Sequence, residues 1–204
     1  MGTSRIHLAS RSARRQALLR QLRVEFDVLL LRTAPGRAPD VVEAARDGEP
    51  PRHYVERIAR TKAAAGWDAV GRRKLEPDPV LGADTEVVID DMVLGKPRDA
   101  AHAAEMLARL AGRTHEVLTG VAVRHHDDVV FALTVSRVKL LALAPAQIER
   151  YVQSGEPLDK AGGYAIQGLA AAFVERIEGS YSGIVGLPLA ETASLLARVG
   201  RAVL

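Results

Sequence analysis

The sequence predicts an α/β protein, a mixed twisted sheet flanked by helices, and three observations predict it. Short apolar runs at 26–31 and 80–83 are separated by segments with helical spacing of apolar residues. Two long β-rich stretches, 116–124 and 129–141, follow one another across a polar turn at Asp127-Asp128. A chain of 204 residues, 48% hydrophobic and 26% charged, can bury the core of one domain, alone or as two lobes. We therefore expect a single domain over residues 1–204.

Taken in order, residues 6–9 read as a short strand running into Ser10. Ser12 is a candidate N-cap for a helix whose apolar stripe is Ala17, Leu18, Leu19 and Leu22. A second strand covers 26–31. Residues 33–52, with four prolines and two glycines, read as a long loop with one helical turn at most. Helical period returns over 54–65. Residues 80–83 predict a buried strand ending at Asp84-Thr85, followed by a hairpin over 86–94 around Asp90-Asp91. Asp99 caps a helix to about Leu110, closed by Gly112. A helix over 145–153, a glycine-rich loop with Gly162, Gly163 and Gly168, a strand over 173–177 and a helix over 189–198 complete the order.

Composition excludes several classes of function. The chain has no cysteine, so a disulfide framework, a thiolate metal site and a cysteine nucleophile are all ruled out. Residues 1–10 carry no apolar core of a signal peptide, and no run reaches the ~18–20 apolar residues of a membrane span. The expectation is a cytoplasmic protein without a membrane partner. Net charge is +3, but the basic residues are scattered and aromatics make up 4%. That pattern offers no stacking platform or basic stripe, so no nucleic-acid partner is expected. Of 28 basic residues only five are lysines: Lys62, Lys74, Lys96, Lys139 and Lys160. A compact ammonium does work that a guanidinium cannot, which draws attention to each of them.

Four segments could carry chemistry, and each has a plain structural alternative. Ser10, Ser12, Arg14 and Arg15 lie at a strand-to-helix junction that suits a phosphate, or simply form a capped surface helix. Asp84, at the expected end of a buried strand, could hold Mg²⁺ or orient a water, or bond its own turn. Lys96 in Gly95-Lys96-Pro97 could neutralise phosphate charge, or guard a strand edge. Gln167, in the glycine-rich segment that begins at Asp159-Lys160, offers an acceptor and two donors. It could pair with the N3–H and O4 of uracil or thymine, or sit exposed on a turn. There is no P-loop and no dinucleotide fingerprint, and His125-His126 lacks zinc-ligand spacing.

Together these segments resemble the Maf family of nucleotide pyrophosphatases. The likeness begins at Leu8-Ala9-Ser10-Arg11-Ser12-Ala13-Arg14-Arg15 and runs through Tyr54-Val55-Glu56-Arg57 to Lys62-Ala63. It continues at Leu81-Gly82-Ala83-Asp84-Thr85, Gly95-Lys96-Pro97-Arg98-Asp99 and Gly112-Arg113-Thr114-His115. It closes with Gly155-Glu156-Pro157, Asp159-Lys160-Ala161-Gly162, Ile166-Gln167-Gly168 and Gly186-Leu187-Pro188-Leu189.

The resemblance implies a two-lobed fold around a cleft, like that of inosine triphosphatases, and hydrolysis of a nucleoside triphosphate to a monophosphate and pyrophosphate. It also implies a divalent metal (Mg²⁺ or Mn²⁺) and a homodimer. Asp84 matches the family's catalytic acid, as proton acceptor or metal ligand, and Lys62 and Lys96 match its phosphate-side lysines. Ser10, Ser12, Arg14, Arg15 and Lys160 fall in its substrate-binding motifs. Arg14, Thr85 and Gln167 match the branch that acts on dTTP and UTP. Alternatives are a pyrophosphatase for modified or purine nucleotides, and a nucleotide-binding regulator of cell division with vestigial activity. Two departures stand out. Ala13 replaces a usual proline, and the chain reads Leu30-Leu31-Arg32-Thr33-Ala34-Pro35 where the family commonly has an acid. Asp40 and Glu43 follow as displaced substitutes.

Overall fold

A computed structural model describes residues 5–32 and 38–203, so Thr33, Ala34, Pro35 and the Met1 start lie outside the described residues. The strands are β1 (Arg5–Leu8), β2 (Glu25–Val28), β3 (Val80–Ile89), β4 (Met92–Leu94), β5 (Thr114–His125), β6 (Asp128–Leu140) and β7 (Val174–Glu178). The helices are α1 (Ala13–Gln21), α2 (Pro51–Arg73), α3 (Ala100–Leu110), α4 (Pro145–Gln153), α5 (Tyr181–Val185) and α6 (Leu189–Arg198). The strands form one seven-stranded sheet in the order β2-β1-β3-β5-β6-β7, with β4 paired to β3. It is mixed, with β1 parallel to β2 and β3, and β3/β4 and β6/β7 antiparallel. This is the mixed α/β architecture that the alternation of elements predicts. No described helix is long and apolar enough to cross a membrane.

The chain divides into two compact units, 1–84 with 119–133 and 186–204, and 85–118 with 134–185. In the first, β1, α1 and β2 form a parallel crossover. Ser12 caps α1 by accepting from Arg15 N, as the Ser-rich junction predicts. Helix α2 is much longer than its periodic stretch suggests. Pro51 opens it at a position where a missing N–H costs nothing, and Lys74 closes it in the left-handed conformation. Gly66 lies inside it, where a Cβ would meet Val80, Ala9 and Leu29, so the helix packs too closely here for a side chain. Ala9, Leu29, Ala69, Val70 and Val80 form one core cluster there, and Ala59, Ala63 and Ala122 form another.

Strand β3 also departs from the sequence reading. It does not stop at Asp84-Thr85 but continues to Ile89, because Val87, Val88 and Ile89 pair with Leu94, Val93 and Met92. The hairpin turns at Asp90 and Asp91, both at positive φ as a tight two-residue turn requires. Asp84 therefore lies mid-strand. Gly82, two residues earlier, lets α2 sit directly on the strand. A Cβ there would lie 2.5 Å from Ala63 N and 2.6 Å from Ala59 O.

In the second unit His115, at the start of β5, is 2% exposed, and its Nε2 lies 2.7 Å from Tyr164 Oη. Burial pushes the imidazole down to about 4, so it is neutral at physiological pH, and the same burial raises the Tyr164 phenol.

Two outcomes follow. Gly82→Ala forces backbone against backbone and should cost about 1–3 kcal/mol, read as a lower urea midpoint; an unchanged midpoint would contradict the close approach. For His115 the folded pKa is below the unfolded value. The unfolded chain then binds more protons between pH 6.5 and 4, and stability falls as pH drops through that window. Wild-type protein should lose about 1.4 kcal/mol per pH unit there beyond what His115→Gln loses. Parallel pH curves for the two proteins would refute it.

Candidate active site

The first unit gathers the most charge. On α2 the buried face runs through Ile58, Ala59, Lys62 and Ala63, so Lys62 points inward with its neighbours and is 9% exposed. The approach of α2 at Gly82 carries its ammonium to the next inward residue of the strand. Lys62 Nζ donates to Asp84 Oδ1 at 2.9 Å and to Glu43 Oε2 at 3.0 Å. Asp84 is 4% exposed, and its second oxygen, Oδ2, is buried with no hydrogen-bond partner among the described residues. A buried carboxylate oxygen without a donor is costly, and it marks the direction in which this group is open to a ligand. One ammonium and two carboxylates leave the cluster with a net negative charge.

Glu43 is the residue that sequence spacing undervalues. It lies far from the stretch after Phe26 where an acid is expected, yet the loop returns it to Lys62. Asp40, the other substitute considered, is engaged elsewhere: Arg32 grips it at 2.7 and 2.9 Å and through its backbone N–H, which holds its carboxyl below the usual range.

At the start of α1, Ser10 Oγ accepts from Ser12 N and from Arg15 Nη1, both at 3.2 Å. Arg15 Nε also donates to Gly186 O at 2.9 Å, so this guanidinium is fixed. Arg14 is half-buried in the same turn, which carries no acidic residue. Cations are disfavoured at a helix N-terminus by about 0.3–1 kcal/mol each, and an anion reverses the sign of that interaction.

The second unit holds the remaining predicted residues. Thr85 follows Asp84 on β3 and is half-buried. Lys96 is exposed just beyond β4, before the buried Pro97. Gly95 O accepts from Gly162 N at 3.0 Å, which ties the Lys96 segment to the loop carrying Lys160. Lys160 itself pairs with Asp159. Gln167 is exposed between Ile166 and Gly168, on a segment clamped from below. Ala165 N donates to Tyr151 Oη at 3.1 Å, Tyr151 Oη donates to Glu156 Oε1 at 2.8 Å, and Glu156 Oε2 accepts from Leu169 N at 3.0 Å. A Cβ at Gly168 would meet the Glu156 carboxylate, which would have to swing away from Tyr151 and Leu169. Neither Tyr151 nor Glu156 is signalled by spacing; Glu156 appears only inside the Gly155-Glu156-Pro157 motif.

Among the described residues no three His, Asp or Glu side chains converge as a ready-made metal site.

Residues 5–199 match the family model described as Maf-like protein. Relatives named dTTP/UTP pyrophosphatase are similar over nearly their whole lengths. That of Nitrosomonas europaea is 49% identical over 96% of this chain and 94% of its own. That of Aromatoleum aromaticum is 49% identical over 97% and 96%, and that of Burkholderia pseudomallei is 52% identical over 94% and 91%. With the family model covering almost all of the chain and half of its residues shared with these relatives, the chain belongs to the Maf family.

Proposed function

We propose that the protein hydrolyses dTTP and UTP to the nucleoside monophosphate and pyrophosphate. The observation that carries this reading is Asp84: a buried carboxylate with one oxygen fixed by Lys62 and the other without a partner among the described residues. The names of the relatives supply the substrate class.

In this reading the Asp84 carboxylate either accepts the proton of the attacking water, as the water oxygen bonds to the α-phosphorus, or holds the divalent cation at Oδ2. The bond to the bridging oxygen breaks, and pyrophosphate leaves with the bonding pair. Lys62 orients Asp84 and balances its charge. Arg14 and Arg15, with the hydroxyls of Ser10 and Ser12, hold phosphate oxygens at the start of α1. Lys96 and Lys160 neutralise charge on the leaving group. The Gln167 amide pairs with N3–H and O4 of the base, and Thr85 shares in substrate binding.

The donor set suits a divalent cation. Asp84 and Glu43 are hard oxygen ligands, Asp84 Oδ2 is unpartnered, and Mg²⁺ takes one or two carboxylates while keeping water and phosphate in its shell. That no third acid converges among the described residues argues against a closed cage rather than against such an open site. Bound there, Mg²⁺ or Mn²⁺ would stabilise negative charge on the phosphate chain as a Lewis acid. Glu43 beside Lys62 weighs against the alternative of a vestigial regulator, which an absent acid near Lys62 would favour. A homodimer accompanies this reading, as the family resemblance implies, and a cytoplasmic location remains the expectation from the sequence.

The deciding experiment is a panel of dTTP, UTP, CTP, ATP and GTP with Mg²⁺ and separate detection of pyrophosphate and orthophosphate. Pyrophosphate should appear from dTTP and UTP, and Asp84→Asn should lower kcat by about 10²–10⁴. Orthophosphate alone, or no product from a pyrimidine triphosphate, would sink the proposal. Gln167→Glu removes the amide donor and should raise KM for dTTP and UTP about tenfold or more, consistent with the large penalty of an unpaired polar group; equal KM values would release Gln167 from base reading.

A further inference from the structure

The loop that delivers Glu43 has no core of its own. Residues 42–48 are all exposed, and Val42 is 64% exposed, so apolar packing does not set their path. Two arginines from outside the segment do. Arg32 fixes it at Asp40. Arg57, on the second turn of α2, fixes it on the other side of Glu43. Its Nη2 donates to Ala44 O at 2.9 Å, one residue from Glu43. The same guanidinium grips Glu49 as a fork, Nε to Oε1 at 2.6 Å and Nη2 to Oε2 at 2.5 Å. Glu49 in turn accepts from Arg46 N at 3.1 Å, folding the segment back on itself around Gly48 at φ +67°. The Arg57–Glu49 pair is among the least exposed features of this stretch, with side chains 21% and 9% accessible, and Arg57 lies 5.4 Å from the Tyr54 ring centroid.

We propose that Arg57 and Glu49 are positioning residues that hold the Ala44–Glu49 turn in one shape, so that the Glu43 carboxylate reaches Lys62 beside Asp84. The inference rests on the reading of Glu43 as part of the reactive cluster. A fork is needed because one planar group must hold a carboxylate with two bonds and still reach the Ala44 carbonyl, which an ammonium cannot do. The hydrogen bonds from Arg57 push Glu49 down to about 2, so the clamp stays charged throughout the range in which a phosphohydrolase would be assayed. Deleting either partner leaves Glu43 on a solvated loop anchored, among the described residues, at Asp40 by Arg32 and Arg72, free to leave Lys62.

A double-mutant cycle separates positioning from general support of the fold. Pyrophosphate release from dTTP is measured across a Mg²⁺ titration for wild type, Glu43→Gln, Glu49→Gln, Arg57→Lys, and each clamp substitution combined with Glu43→Gln. Melting temperatures are followed in parallel. Glu49→Gln and Arg57→Lys should each lower kcat about tenfold and raise the Mg²⁺ needed for half-maximal rate, with melting little changed. In the Glu43→Gln background the same substitutions should change the rate by less than about twofold, as expected of residues acting through one group. Equal losses in both backgrounds, or no loss in either, would overturn the proposal. If Glu49→Gln does not fold, Arg57→Lys keeps the charge and carries the cycle alone. Wild-type turnover and Mg²⁺ dependence in Glu43→Gln would refute Glu43 itself, and the positioning claim with it.

Discussion

Much of the first unit serves to put one ammonium between two carboxylates, and the physical constraint is that a charged group must be buried to do it. Lys62 is 9% exposed and Asp84 4%, so neither could persist there alone; each is tolerable because the other is 2.9 Å away. The contact requires α2 to lie against β3 more closely than side chains normally allow. Gly82 supplies that closeness, and the alanines at 59 and 63 supply the flat helix face opposite it. The geometry of the Lys62–Asp84 pair is thus a consequence of backbone packing, not of a loop that could be exchanged without cost.

Glu43 reaches the same ammonium by a different route. Its segment is exposed, and its shape comes from arginine hydrogen bonds at Asp40, Ala44 and Glu49. One carboxylate of the cluster is therefore held by core packing and the other by surface polar bonds. The two differ in how they should respond to substitution: the first through stability, the second through reach. In the second unit the Gln167 segment is likewise held by polar bonds, from Tyr151 and Glu156.

Local signals made much of the fold legible. Ser12 and Asp99 cap the helices they precede, and α6 spans the residues that its periodicity predicts, because capping and amphipathic spacing are properties of consecutive residues. The limits of α2 and β3 were not legible. The helical period read over 54–65 stops short of the real end at Arg73, and Asp84-Thr85 read as a stop, whereas pairing with β4 carries β3 through it. Asp84, Lys62, Lys96 and Gln167 could be singled out only as ordered motifs, since each alone fits a structural role. Glu43 could be named only as a displaced substitute beside Asp40, and its clamp was not legible, because a loop's return depends on hydrogen bonds between residues 8–19 positions apart, and no periodicity records those.

The account stands most directly on Lys62. Lys62→Met keeps the length and packing of the side chain while leaving Asp84 and Glu43 without their shared cation. The rate of pyrophosphate release from dTTP at saturating Mg²⁺ is the measurement. With the circular dichroism spectrum retained, kcat should fall by about 10²-fold or more, the scale for loss of one preorganised charged contact. A folded Lys62→Met protein that turns over dTTP at the wild-type rate would contradict it.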